Sequence, residues 1–239
     1  MFPSSCRISS HLEFELIFYT SPKYSSTIHE LKTGWREFSS RRWVLLIVII
    51  FSFLVAMERA VYSVLGPLVA DEKLGGPKPW SIILAAWAVG SVVGVVFAGK
   101  VRPRFPIRVA IIVQFPVFLW FFSLANTTNI LIISIISFFV GIAFDFFFVL
   151  WQTAMQSNIP RESLSRVTSY DAFGSLALAP LGLIVAGPIT EKFGSSTTLI
   201  YMGVIFVVIL AVMLAVPAVR QLEGKTPETT EIQPESLNS

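Results

Sequence analysis

The sequence predicts an all-α membrane protein of six transmembrane helices, with both ends of the chain in the cytoplasm. Three observations support this prediction: the composition, the lengths of the apolar segments and the distribution of positive charge. Of the 239 residues, 54% are hydrophobic and only 14% are charged, and the mean hydropathy is +0.72. A typical soluble domain carries about 25% charged residues, so we expect lipid to surround most of this chain.

Six apolar segments have the length that crosses a bilayer. They cover residues 43–68, 80–99, 109–125, 130–151, 172–189 and 197–219. An α-helix rises ~1.5 Å per residue, so about 20 residues cross the hydrocarbon core. None of the segments alternates in the way that the strands of a membrane β-barrel do. We therefore expect a transmembrane bundle of six helices over residues 43–219.

Three further segments flank this bundle. Residues 1–27 are polar and show no signal-peptide pattern, and residues 220–239 predict a disordered cytoplasmic tail. Residues 28–42 predict an amphipathic juxtamembrane helix on the membrane surface, with a solvated loop as the alternative. The apolar stripe of that helix consists of Ile28, Leu31, Trp35 and Phe38.

Positive charge alternates between the two sides of the predicted bundle. If the N-terminus is inside, the inner side holds Lys32, Arg36, Arg41, Arg42, Lys100, Arg102, Arg104, Arg108, Arg161, Arg166, Arg220 and Lys225. The outer side holds only Lys73, Lys78 and Lys192. This asymmetry follows the positive-inside rule and agrees with an even number of spans. It predicts a multi-pass protein of the plasma (inner) membrane.

Cysteine and histidine are nearly absent. Cys6, His11 and His29 all precede the first apolar segment, so no thiol or imidazole ligand is expected in the membrane and we predict no metal and no cofactor. The sequence also lacks the HExxH and GxSxG motifs of hydrolases. We therefore expect neither an enzyme nor a nucleic-acid-binding protein.

Small residues predict close helix packing in two spans. Gly90 and Gly94 form a GxxxG pair in the second span, a spacing that lets helix backbones approach each other in lipid. The fifth span contains Pro180 and Pro188 together with three glycines. This composition permits bending where neighbouring groups satisfy the freed backbone.

Charged residues inside the apolar segments are the strongest functional signal. Glu58 and Arg59 lie in the first span and Asp145 lies in the fourth; an Asp, Lys or Arg at mid-membrane costs ~2.5–3.5 kcal/mol on insertion scales, so such residues usually face a cavity. They are candidates for a substrate and proton pathway, with Glu58 as proton carrier. The alternatives are that Arg59 extends to the outer headgroups and that Asp145 forms an inner structural pair. Their different depths argue against direct contact between the two carboxylates.

A second candidate set lies at the inner ends of the spans. Arg102 and Arg104 occupy the loop after the second span, while Arg166 and Asp171 flank the start of the fifth. These four residues predict a salt-bridged cytoplasmic gate. Retention of the arginines by the positive-inside rule alone is the alternative.

Several motifs resemble one transporter family. The segment Trp151–Gly194 resembles the tenth-to-twelfth-helix region of major facilitator superfamily exporters, in the branch of macrolide-efflux and enterobactin exporters. The matching residues are Thr153 to Gln156, Ile159, Pro160, Glu162, Leu164 to Val167, Tyr170, Asp171, Gly174, Ser175, Pro180 to Gly182 and Ala186 to Pro188. Gly34–Trp43 resembles the central cytoplasmic loop of the family, and Gly99–Arg108 resembles the loop between the eighth and ninth helices.

The resemblance implies secondary active transport by alternating access. It implies a half-bundle of three plus three helices in inverted repeat, whose cavity is lined by the first and fourth helices. These helices carry Glu58 and Asp145. The expected activity is antiport, in which proton entry drives the efflux of a small amphipathic compound.

The resemblance also implies a missing half, because a full-length family member has six further helices before this region. We expect the chain to pair with a separately encoded N-terminal half or to form a homodimer in the lipid bilayer. The alternatives are an inactive truncated remnant and a non-transporting scaffold or regulatory subunit.

Overall fold

The computed structural model describes residues 27–216, with side chains from Lys32 onward. This part of the chain is helical apart from short connections and contains no strand. The helices Arg42–Leu74, Pro77–Lys100, Pro106–Asn126, Ile130–Asn158, Arg161–Phe193 and Ser195–Ala215 are the first to sixth spans. Each is long and apolar enough to cross a membrane. The predicted all-α fold of six membrane helices is confirmed.

Two predicted segments extend beyond this region. The polar segment 1–27 lies outside the described residues except for its last position, and the tail 220–239 lies wholly outside them. The last residues of the predicted span 197–219 also fall outside. Within the described part, helix Thr27–Ser40 precedes the first span and is called the juxtamembrane helix below.

The first span changes its helical geometry beyond Ala60. Two π-helical segments, Val61–Leu65 and Ala70–Leu74, surround a short α-helical turn that contains Pro67. Proline has no N–H to donate to the preceding turn, and π-type turns often mark functional positions in helices. The span ends at Gly75, whose φ of 87° only glycine adopts without strain. It is therefore longer than the apolar segment 43–68.

Prolines interrupt two other spans. The third consists of Pro106–Gln114 and Val117–Asn126, and the fifth consists of Arg161–Ala177 and Ala179–Phe193. Near the second break, the Ser52 hydroxyl lies 2.6 Å from the Gly174 carbonyl oxygen. The neighbouring first span thus supplies a donor to a backbone carbonyl, as a broken membrane helix requires. The fifth helix begins at Arg161, well before residue 172. Its first turns are polar, so hydropathy did not include them in the predicted span.

The spans pack in the pattern of an inverted repeat. The second span packs against the fourth, the first against the fifth, and the third against the sixth. In a repeat of three plus three helices, the first, second and third spans correspond to the fourth, fifth and sixth. The second–fourth contact then corresponds to the fifth–first contact, and the third–sixth contact corresponds to itself. This is the three-plus-three arrangement expected of a transporter half-bundle.

Glycine permits the closest of these contacts. A Cβ at Gly94 would lie 2.5 Å from the carbonyl oxygen of Ile142, and a Cβ at Gly90 would overlap the carbonyl group of Phe138. The backbones of the second and fourth spans therefore touch at the GxxxG pair. In the absence of a hydrophobic force between helices in lipid, this contact holds the two spans together.

We predict that Gly90→Ala destabilises the bundle by about 1–3 kcal/mol, because the added methyl group must push the fourth span away. Gly99→Ala is the matched control, since no atom lies within 4 Å of a Cβ added there. The control should be neutral or stabilising by up to about 1 kcal/mol through helix propensity. The free energy of unfolding in mixed micelles measures both. Equal stabilities for the two variants would contradict the packing assignment.

Candidate functional site

Glu58 is buried in the apolar part of the first span. Only 5% of its surface is exposed, and its Oε2 atom has no hydrogen-bond partner. Within the described residues, no salt bridge includes it. Burial of an unpaired carboxyl group lowers the stability of the fold. Inside a membrane bundle such a group indicates a functional position.

Aromatic contacts show which neighbours Glu58 faces. Seven residues earlier, Phe51 stacks on Phe147 of the fourth span with ring centroids 4.2 Å apart. Four residues later, Tyr62 makes an edge contact of 6.1 Å with Trp87 of the second span. Residues at these spacings share one face of a helix, so the Glu58 carboxyl points towards the second and fourth spans.

The second carboxylate, Asp145, lies on the fourth span. Trp87 and Phe144 join the second and fourth spans there, with ring centroids 6.3 Å apart, and Asp145 follows directly in the chain. Asp145 and Arg59 are the two charged residues that act electrostatically on Glu58. Of these three residues, which the sequence singled out in the spans, Glu58 is buried, Asp145 is partly exposed and Arg59 is exposed. Glu58, Arg59 and Asp145 are called the charged cluster below.

Two buried hydrogen-bond donors lie along the second span. The Nε1 atom of Trp87 and the hydroxyl of Ser91, one helical turn further on, are both buried without a partner. An unpaired buried donor costs about 1–3 kcal/mol, which a bound group or a water molecule can recover. The sequence did not single out either residue, because a tryptophan and a serine in an apolar helix are unremarkable until their neighbours are known.

The first and fourth spans meet near the charged cluster through side chains. Aromatic rings, rather than close backbone contact, bridge these two spans. Tyr62, Trp87, Phe144 and Asp145 are each partly exposed, whereas Glu58 is buried.

An apolar groove lies elsewhere on the first span. It has a volume of about 430 Å³ and runs between the first, fifth and sixth spans, lined by residues such as Phe53, Met57, Val185 and Met202. It contains no charged residue. The groove has no carboxylate in its lining, so the candidate proton carrier Glu58 lies outside it.

The four predicted gate residues have separate surroundings. Arg166 forms a salt bridge of 3.3 Å with Glu37 of the juxtamembrane helix. Asp171 is buried and accepts hydrogen bonds from Trp151 Nε1 at 3.0 Å and Ser175 Oγ at 3.4 Å. The structure therefore does not pair Arg166 with Asp171.

The other two gate residues lie in the loop between the second and third spans. Arg102 is exposed, and the Arg104 guanidinium lies 5.3 Å from the centre of the Phe105 ring. Since the hydrogen bonds of Asp171 come from Trp151 and Ser175, an arginine latch around Asp171 is not formed in this conformation.

The juxtamembrane helix packs on the inner half of the fifth span. Trp35, Phe38 and Tyr170 form a cluster in which every pair of ring centroids is 5.8 Å apart. Gly34 lies beneath the Tyr170 ring, where a Cβ would approach to 2.8 Å. The apolar stripe predicted for the membrane surface is therefore partly used for protein contact.

Polar residues join three spans at the outer end. Glu72 Oε2 accepts a hydrogen bond of 2.7 Å from Ser195, and Lys73 Nζ donates to the Ala125 carbonyl at 3.1 Å and to Ser196. These contacts tie the end of the first span to the third and sixth. The sequence did not reveal them, because charges at the end of an apolar segment are equally typical of a solvated loop.

We predict that Phe38→Ala releases the juxtamembrane helix. Phe38 is 3% exposed, and burial of such a ring contributes about 1.5–3 kcal/mol. Cleavage by trypsin at Lys32 and Arg36 should become at least about tenfold faster, because proteolysis follows the population of the open form. Trp35→Ala is the control for ring removal, since Trp35 is 53% exposed, and it should have a smaller effect. Equal cleavage rates for both variants and the unaltered protein would refute the docking.

Comparison with known proteins identifies one family. A model of the Major Facilitator Superfamily matches residues 14–179, which is more than half of the 239 residues. The match includes the charged cluster and the first four spans. Searches of curated proteins and of solved structures gave no match.

Proposed function

The chain belongs to the Major Facilitator Superfamily, and we propose that it forms one bundle of a proton-coupled secondary transporter that exports a small amphipathic compound by alternating access. It is a multi-pass membrane protein, and members of this family are transporters. The observation that carries the proposal is the unpaired Glu58 carboxyl, which is buried in the first span.

Glu58 is the proton carrier in this proposal. The free-energy cost of burying a carboxyl group away from water is much smaller when the group is neutral than when it is charged. Protonation would let Glu58 stay buried, and loss of the proton would favour a conformation in which its carboxylate meets water or a cationic partner. Asp145 and Arg59, which act electrostatically on it, would adjust this equilibrium.

The bundle supports movement as a unit, with one break in the fifth span. The outer contacts of Glu72 and Lys73 hold the first span to the third and sixth, whereas the broken fifth span meets the first at Gly174 and Gly182. Alternating access consists largely of rigid bundles rocking against each other. The break in the fifth span is the position at which the bundle can bend during that motion.

A second bundle completes the transporter in this proposal. The fifth span is the least buried of the six, and its side chains Phe173 and Ile184 are 75% and 68% exposed. This face and the gap beside the charged cluster would pack against the second bundle, supplied by another copy or by a separate polypeptide. We place the assembly in the plasma (inner) membrane, with the juxtamembrane helix on the cytoplasmic side.

A flux assay in proteoliposomes tests the proposal. The purified chain, alone and with a co-expressed candidate partner, is given a pH gradient and a set of small amphipathic probes that are cationic, neutral or anionic. Movement of at least one probe against its own gradient is expected, together with proton flow in the opposite direction. No proton-driven movement of any probe in either preparation would indicate a non-transporting membrane protein.

We predict that Glu58→Gln and Asp145→Asn each lower this proton-driven flux by at least about tenfold, because each removes a charge from the pathway. Asp71→Asn is the matched control: Asp71 is an exposed carboxylate at the outer end of the same first span, and its loss should leave the flux unchanged. Unchanged flux in both Glu58→Gln and Asp145→Asn would exclude the assigned pathway.

A further inference from the structure

We propose that the apolar groove between the first, fifth and sixth spans holds one acyl chain of an anionic phospholipid, whose phosphate is bound by Lys192 at the outer end. The groove is separate from the charged cluster, and the inference does not depend on the proposed transport. The shape of the groove, the change of polarity along it and the position of Lys192 each support the inference.

The groove is long and narrow. On the fifth span its lining extends from Leu178 to Phe193, which at ~1.5 Å per residue is about 22 Å. Half of the hydrocarbon core is about 15 Å thick, so the groove follows the full depth of the outer leaflet. Its volume of about 430 Å³ equals that of only about one turn of an α-helix ~10 Å wide. A single hydrocarbon chain can therefore fill the groove along its length, whereas a helix of a partner protein is too wide to enter it.

The lining becomes more polar towards the outer end. Side chains such as Phe53 and Leu178 form the inner part, and among the described residues the polar side chains of the lining are Thr198 and Tyr201. Both lie within the first two turns of the sixth span, which begins at Ser195, and Tyr201 is 60% exposed. Tyrosine is enriched at the level of lipid headgroups, where its ring meets the chains and its hydroxyl meets polar groups. The groove thus has the same order of polarity as a phospholipid.

Lys192 lies at the outer end of the groove. Its Nζ atom is 5.3 Å from the centre of the Phe193 ring, and Phe193 lines the groove. Lys192 also follows Val185, another lining residue, by seven positions, so both share one face of the helix. Within the described residues no salt bridge includes Lys192. Its ammonium group can therefore bind a phosphate whose acyl chain occupies the groove.

The neighbouring charges leave Lys192 as the cation on the groove side of the fifth span. Glu191 follows Ile184 by seven positions, and Ile184 lies outside the groove lining, on the face proposed for the second bundle. Glu72 and Lys73 have opposite charges and are bonded to serines at the start of the sixth span. A basic residue near the bilayer surface favours an anionic lipid over a zwitterionic one of equal chain length.

Photo-crosslinking with lipids tests the proposal. The full chain is placed in phosphatidylcholine bilayers that contain a trace of phosphatidylglycerol or phosphatidylcholine with a diazirine in one acyl chain. We predict that the phosphatidylglycerol probe labels groove residues such as Met57, Val185 and Met202, and that unlabelled phosphatidylglycerol displaces it. Its yield there should exceed that of the phosphatidylcholine probe about fivefold, and high salt should reduce this difference. Mass spectrometry of the labelled peptides measures the yields.

Two variants and their controls assign the headgroup and chain contacts. Lys192→Gln should remove the preference for the anionic probe. Lys78→Gln, which changes an exposed lysine at the outer start of the second span, should keep it. Val185→Trp should lower labelling of the other groove residues at least about tenfold with both probes, because the indole fills the groove. Ile184→Trp, on the neighbouring face, should leave this labelling unchanged.

Misfolding does not explain these outcomes. Val185 and Ile184 are 49% and 68% exposed, so a larger side chain at either position meets lipid rather than the core. Circular dichroism and gel filtration check each variant. The comparison of the two probes on the unaltered chain needs no variant.

Three outcomes would overturn the proposal. Labelling of the groove no stronger than labelling of the exposed Val92 and Phe97 on the second span would indicate ordinary boundary lipid. Equal yields from the two probes would remove the role of Lys192. Groove labelling that appears only after the protein is diluted into excess lipid would mean that another copy fills the groove. The assay contains no ion gradient, so its failure leaves the transport function intact, and failure of the flux assay leaves the lipid site intact.

Discussion

The pairing of the second span with the fourth, and of the first with the fifth, depends on direct contact between helix backbones at glycine residues. Lipid provides no hydrophobic force between apolar helices, so they associate where small residues allow close packing and polar groups find partners. Gly90 meets the carbonyl of Phe138, and in return Gly141 of the fourth span meets the carbonyl of Trp87. This reciprocal contact fixes the second and fourth spans as a pair. It also fixes the position of the Trp87 side chain beside Phe144.

The first span is held by a different partner, and this difference creates the site. It packs on the fifth span, where a Cβ at Gly182 would lie 2.5 Å from the Ala56 carbonyl oxygen and where Ser52 bonds the Gly174 carbonyl. The same kind of contact therefore joins two pairs of spans, each pair formed by one span from each repeat. Because the first and fourth spans belong to different pairs, side chains rather than backbones fill the space between them, and Glu58 is accommodated there.

The contacts at the two ends of the bundle differ in strength. At the inner end, the partly exposed pair of Glu37 and Arg166 is worth about 1 kcal/mol, so the buried ring of Phe38 contributes more to docking of the juxtamembrane helix. At the outer end, Glu72 and Lys73 are bonded to groups on other spans. The contacts at both ends thus hold the bundle together, and the charged cluster lies between them.

The sequence by itself determined the membrane environment, the six spans and the family, because hydropathy, charge distribution and motif order can all be read along the chain. It also identified Glu58, Arg59 and Asp145, since a charge inside an apolar segment is rare. The exporter branch and the pairing of two halves stay predictions. Hydropathy could not mark the true ends of the spans, because the π-helical end of the first span and the polar start of the fifth are helical without being uniformly apolar.

Only the tertiary structure decided which groups meet. It placed Trp87 between Tyr62 and Phe144 and paired Arg166 with Glu37 rather than with Asp171. The physical reason is that these contacts depend on the rotation and crossing of helices that are distant in the chain. Glycine contacts between backbones set that geometry, and periodicity within one helix carries no information about the rotation of another.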